Sequence, residues 1–186
     1  MAKSDRAAVS LRPWESVDAA DALDFYMRNR EHLAPWEPLR TDAFFTLDHH
    51  AEARRASELE RLNGRGYGYA VMLDDRLAGR ASLSEVSRGA FQSAYCGYLT
   101  DAALCGRGVA TRAVAQLLRL AFVDLRLHRV QAAVMPRNAP SQRVLEKNAF
   151  MRIGMSPRYL FINGAWEDHI LYAITLEDFA SAPQRV

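Results

Sequence analysis

The sequence predicts an α+β fold of about seven strands with flanking helices and a C-terminal β-hairpin. Apolar runs of strand length recur along the chain, with helical-period segments interposed. Between the last two runs stands Asn163-Gly164, the strongest short-range hairpin signal in the chain. The segment from Gly108 to Asp124 places Val109, Ala113, Leu117, Leu120 and Ala121 on one helical face, fit to be buried against a sheet.

In chain order, Ala7 to Arg12 reads as a first strand, Ser16 to Asn29 as a helix, and Pro35 to Thr46 as a proline-marked loop carrying Trp36 and two phenylalanines. Leu47 to Leu62 reads as a helix stopped by Asn63-Gly64. Tyr67 to Leu73 and Leu77 to Leu83 read as paired strands around Asp74-Asp75-Arg76, and Phe91 to Leu99 as the fourth strand. After the helix from Gly108 come a buried strand, Arg129 to Val134, and a short helix, Ser141 to Asn148. The tail after Glu177 is expected to fray.

With 186 residues and 49% apolar content the chain can bury one sizeable core, so residues 1–186 are expected to form a single domain. A formal charge of +2 gives no reason to expect direct nucleic-acid binding. The sequence shows no membrane-length apolar run and no signal peptide, and it has only two cysteines, Cys96 and Cys105; a cytoplasmic setting is expected. No metal site is expected: His49 and His50 are adjacent rather than at ligand spacing, and read as polar residues near the start of a surface helix. Cys105 reads as a small residue lining a turn.

The run Gly106-Arg107-Gly108-Val109-Ala110-Thr111 joins a strand to a helix. Glycines let a phosphate approach the backbone, and the first helical turn aims free N–H groups and the positive dipole end at it. A simple tight turn is the alternative. The spacing is neither a Rossmann fingerprint nor a nucleotide P-loop, because it has one Gly-x-Gly step and no Gly-Lys-Ser/Thr.

In that context Cys105 to Ala110 resembles the opening of the core motif of the GNAT acetyltransferases: Gln or Arg, two residues, Gly, any residue, Gly or Ala. Arg137 to Phe150 resembles the second acetyl-CoA segment of the same family. Arg28-Asn29-Arg30, Pro35-Trp36-Glu37-Pro38, Arg88-Gly89-Ala90-Phe91, Leu127-His128-Arg129 and Tyr159 through His169 narrow the resemblance to the Rim-type branch, which acetylates the N-terminal alanine of ribosomal proteins. Two departures are Cys105, where the family has Gln or Arg, and Ala149, where Gly usually precedes Phe.

The resemblance implies a GNAT fold, with a mixed, mostly antiparallel sheet whose central strands splay apart to admit the pantetheine arm of acetyl-CoA. Leu99 and its neighbours would bond that arm through the backbone, residues 106–111 would cradle the diphosphate, and Asn138 would reach the cofactor with its amide. Arg107 and Arg143, with Arg112 and Lys147 beside them, offer cations for the phosphates. Asn138 is alternatively a turn former or helix cap.

The implied chemistry is direct attack of an amine on the thioester, with coenzyme A leaving as thiolate. The tyrosine that many family members place near the sulfur is Leu145 here, so Ser141 is the candidate donor; capping of its helix is the alternative. Glu37 and Glu85 are candidate bases, a water chain is another route, and Asp168 and His169 read as structural hydrogen-bonding residues. The acceptor that the resemblance implies is a protein N-terminus, the α-amine of an alanine on a ribosomal protein or peptide. A small amine such as an aminoglycoside, polyamine or amino acid is the alternative acceptor, and a non-catalytic acetyl-CoA-binding or ribosome-assembly module is the alternative outside the enzymes.

Overall fold

Seven strands, β1 (Val9–Pro13), β2 (Tyr67–Leu73), β3 (Arg76–Ser87), β4 (Ser93–Thr100), β5 (Arg129–Val134), β6 (Met151–Ile162) and β7 (Ala165–Thr175), lie in one sheet of order β1-β2-β3-β4-β5-β7-β6. The computed structural model describes residues 8–182. Every pairing is antiparallel except β4 with β5.

Six α-helices flank the sheet: α1 (Ala19–Arg28), α2 (Arg30–Leu33), α3 (Leu47–Leu62), α4 (Val109–Arg119), α5 (Ala139–Lys147) and α6 (Leu176–Ser181). The helix expected from Ser16 starts at Ala19 instead, because Val17 is extended and the Asp18 carboxylate accepts the Ala20 N–H at 2.8 Å. The 35–46 loop contains two 3-10 turns, Ala34–Trp36 and Asp42–Phe45. α4 gives way to a π turn at Leu120–Asp124. α5 begins two residues before Ser141, with Pro140 in its first turn, where a missing N–H costs nothing. As far as Ser181 the expected fraying after Glu177 is corrected, since Thr175 and Asp178 form a reciprocal capping box that holds α6, while residues 183–186 lie outside the described residues. Of the expected first strand, Ala7 lies outside the described residues.

The two sheet faces bury different helices. On one, Val109, Ala113, Val114, Leu117 and Leu118 of α4 pack on Val71, Ala81, Ala94, Val130 and Ile174. On the other, Phe25 and Tyr26 of α1 pack with Trp14 on Ala70, Met72 and Leu77. Strand alternation therefore sends Tyr98 toward α4 and α5, while its neighbour Leu99 packs on the α1 side. Gly79 lets β3 close on that point: a Cβ there would stand 2.3 Å from the Leu99 carbonyl oxygen.

The surface reading of the histidine pair is corrected for His50. It is buried, stacked on Tyr26 at 5.2 Å, and only His49 remains half-exposed. Burial first, then the nearby His49 and Arg80, lower its pKa from 6.5 to about 4. Between those values the unfolded chain binds a proton that the folded chain refuses. The stability held by neutral His50 is thus complete above pH 6.5 and is lost as pH falls toward 4. His50→Phe is expected to show a smaller fall in melting temperature between about pH 7 and about pH 5 than the parent. An equal fall would assign the acid sensitivity elsewhere.

Ala149 adopts φ +61°, a left-handed conformation that costs an L-residue about 1–2 kcal/mol. The turn thus keeps the conformation for which the family's glycine is suited. Ala149→Gly should raise stability by about 0.5–1 kcal/mol, after the extra freedom of the unfolded chain is deducted, read as a higher urea midpoint. A lower midpoint would refute the strain.

Candidate active site

β4 and β5 pair through only three positions, Ser93 with Arg129, Ala94 with Val130 and Tyr95 with Gln131. Beyond them β4 stays on β3 as far as Thr100, and β5 stays on β7 as far as Val134. The strands diverge, and a wedge opens between residues 96–100 and 132–134. Leu99 lies on one edge of it, and Asn138 follows the end of the other.

The far end of β4 is clamped by the end of α1. Arg28 donates from Nε to Asp101 at 2.9 Å and from its terminal nitrogen to the Leu77 carbonyl at 2.9 Å. Asn29 accepts the Ala102 N–H at 2.9 Å, and Asp101 accepts that of Ala103 at 3.0 Å. Burial opposes charge on Asp101, but Arg28 and the Ala103 N–H outweigh it and hold the carboxyl below its ordinary range.

This clamp delivers the chain into the glycine turn. Gly106 (φ +78°) and Gly108 (φ +75°) are left-handed, and a Cβ on either would meet nothing within 4 Å, so the cradle is open. Gly108 is the N-cap of α4, with no side-chain cap, and Arg112 is the first residue to bond back to it, at 3.1 Å. The amides of Gly108, Val109, Ala110 and Thr111 are therefore left without helical partners, as an anion site requires. Arg107, Arg143 and Lys147 are exposed, and Arg112 is half-buried. Asn148 donates to the Thr111 carbonyl at 3.2 Å, tying α5 to the cradle helix. Cys105 sits at the turn with its sulfur 3.6 Å from His32 Nε2, and burial, with Asp101, raises its thiol pKa.

Beyond the wedge, Asn138 caps α5: its side-chain oxygen accepts the Ser141 N–H at 3.1 Å. Ser141 is not the cap. Its hydroxyl lies 2.8 Å from the hydroxyl of Tyr98, which also reaches the Ser141 carbonyl at 3.0 Å. Tyr98 was missed by sequence reasoning, although alternation from Leu99 is the signal that turns it toward α5. Leu145 is fully buried in the core and supplies no donor.

On the α1 side of the sheet the two carboxylate candidates lie on separate walls. Glu37 lines a cavity of about 150 Å³ with Tyr26, Leu33, Phe44, Phe45 and Asn163. Its carboxylate meets Arg40 at 3.4 Å, and its carbonyl accepts the Asn163 N–H of the β6–β7 turn at 3.0 Å. Glu85 stands exposed at φ +51° in the irregular end of β3. It faces Tyr159, whose pKa is raised to about 12 by a hydrogen bond with Tyr95, by burial and by Glu85. Asp168 is structural, accepting the Arg158 N–H at 2.8 Å where β6 bulges. His169 is buried against Tyr159, and Nδ1 lies 3.0 Å from the Glu167 carbonyl. A carbonyl only accepts, so Nδ1 carries a hydrogen, and Nε2 is the ring nitrogen not engaged by this contact. Tyr95 and Tyr159 were not foreseen as parts of this surface. Among the described residues no helix is long and apolar enough to cross a membrane, and no group of three or more His, Cys, Asp or Glu residues is placed to hold a metal ion.

Comparison with known proteins agrees with this geometry. Residues 9–151 match the family model described as an acetyltransferase (GNAT) domain. The chain is 38% identical to the probable N-acetyltransferase YjcK of Bacillus subtilis, over 91% of this chain and 95% of that protein. It superposes on the ribosomal-protein-S5-alanine acetyltransferase of Vibrio fischeri with a TM-score of 0.86 and 34% identity, covering 98% of each chain. Against Mycobacterium smegmatis RimJ in complex with CoA-disulfide the TM-score is 0.89 at 33% identity, covering 95% of this chain and 86% of that one. The splayed sheet, the open glycine cradle and these relatives together establish that the chain belongs to the GNAT acetyltransferase family.

Proposed function

We propose that this acetyltransferase acts on the α-amine of a protein N-terminus, with a ribosomal protein as acceptor and the cytoplasm as its setting. The observation that carries the reading is the end-to-end likeness to the S5-alanine enzyme, which extends past the cofactor motifs into the segments that wall the acceptor side. Acetyl-CoA supplies the activated acetyl group. The amides of residues 108–111 and the turn at Gly106 and Arg107 hold its diphosphate, with Arg143 at hand for a further phosphate. The backbone groups of Tyr98 and Thr100, which flank Leu99 and turn away from β3, hold the pantetheine arm, and the Asn138 amide nitrogen is left to reach it while the amide oxygen caps α5.

An α-amine suits the modest proton acceptors present. Its pKa is near 8, whereas that of a lysine amine is near 10.4, so holding lysine neutral costs roughly 3 kcal/mol more. Glu85 and His169 flank Tyr159 on the surface through which the amine enters, and Glu37 closes its other end; any of them passes one proton to water. Ser141 faces the departing sulfur and donates a hydrogen bond to it.

Thiol release from acetyl-CoA with peptides differing in the first residue tests this reading. Release with free N-termini, strongest with alanine, and none with blocked peptides is expected. Release only with small amines would overturn the acceptor assignment. Gly108→Trp should lose acetyl-CoA binding in calorimetry, whereas Gly108→Ala, equally left-handed but sterically open, should retain most of it. Unchanged binding in the tryptophan variant would move the diphosphate elsewhere.

A further inference from the structure

We propose that Tyr98 is a positioning residue for the leaving sulfur, holding the Ser141 hydroxyl in the place that the family's α5 tyrosine would otherwise fill. This rests on the acetyl-transfer reading above, though not on which amine is the acceptor. The Tyr98 hydroxyl has one hydrogen and two neighbours on Ser141, the carbonyl at 3.0 Å and Oγ at 2.8 Å. The carbonyl only accepts, so Tyr98 donates to it, and the Ser141 hydroxyl then donates to Tyr98. That exchange fixes the serine rotamer.

A developing thiolate is a stronger acceptor than a phenol oxygen, so the Ser141 hydrogen turns to it, and Tyr98 can then donate to Oγ. Two hydroxyls in series oppose the new charge. Burial, with Cys96 and Tyr172 nearby, pushes the Tyr98 phenol well above its ordinary pKa, so it stays protonated. It gives a hydrogen bond and not its proton. In the reaction the C–N bond forms and the C–S bond breaks, with the electron pair kept by sulfur. The amine proton goes to solvent, and the thiolate is protonated from solvent on release. Neither hydroxyl changes protonation overall. Leu145 cannot take this part, being fully buried without a polar atom.

The test compares the parent, Tyr98→Phe, Ser141→Ala and the double variant, using whichever amine the parent accepts. Initial thiol release, acetyl-CoA Kd by calorimetry and melting temperature are measured for each. Ser141→Ala is expected to lower kcat by roughly 100-fold, as loss of a direct donor does. Tyr98→Phe is expected to lower it roughly tenfold with Kd within about twofold, and the double variant to be no slower than Ser141→Ala. Independent losses that multiply, or a Tyr98→Phe effect confined to Kd, would make Tyr98 a mere brace and overturn the proposal. So would parental kcat in Tyr98→Phe. A parent that releases no thiol with any amine would instead overturn the acetyl-transfer reading on which the proposal stands.

Discussion

The early end of the β4–β5 ladder governs the rest of the site. After Tyr95 and Gln131 the two parallel strands share no further pairs, although each continues on its other neighbour. An unpaired strand edge in the middle of a sheet is costly unless something satisfies its amides and carbonyls. Here the opening is enforced from both sides. β4 is held on β3, where Gly79 permits close contact, and its end is fixed by Arg28, Asn29 and Asp101. β5 is held on β7 and leads into α5, whose first turn Asn138 caps. The exposed edges match an extended, amide-bearing ligand such as the pantetheine arm.

Alternation along β4 divides the labour between the faces. Leu99 belongs to the α1 side, where Glu37 lines a cavity and Glu85, Tyr159 and His169 lie together, the side proposed above for the amine. Tyr98 belongs to the α5 side, where it meets Ser141. Two adjacent residues of one strand thereby face opposite sides of the sheet, and in the proposed reading these are the sides of the departing sulfur and of the incoming amine. The glycine cradle lies one turn further on, so one stretch of chain from Tyr95 to Thr111 contributes to every part of the proposed site.

Much of this was legible in the sequence because the deciding signals are local. The Asn163-Gly164 turn, the amphipathic face of α4 and the strand-to-helix turn at Gly106–Gly108 are short patterns set by neighbouring residues, and all seven strands follow from such patterns. The helix starts were less legible: Asp18 and Asn138 decide them by capping, against the pull of apolar spacing. The burial of His50 was hidden because it depends on Tyr26 of α1 stacking on its ring and on Phe44 of the preceding turn folding back against it. Ser141 was named for its position, but its partner Tyr98 lies 43 residues away in sequence, beyond any local pattern. Tyr159, which meets Tyr95, lies within the bulge of β6, a bend that Asp168 braces from the facing strand through the Arg158 N–H.

Hydrogen–deuterium exchange with and without acetyl-CoA tests the central claim most directly. If the wedge and cradle receive the cofactor, amides on both, within residues 96–100 and 106–111, become protected together when acetyl-CoA is added, while β1 and β2 are unchanged. Protection confined to the cradle, or found only outside both segments, would contradict the account.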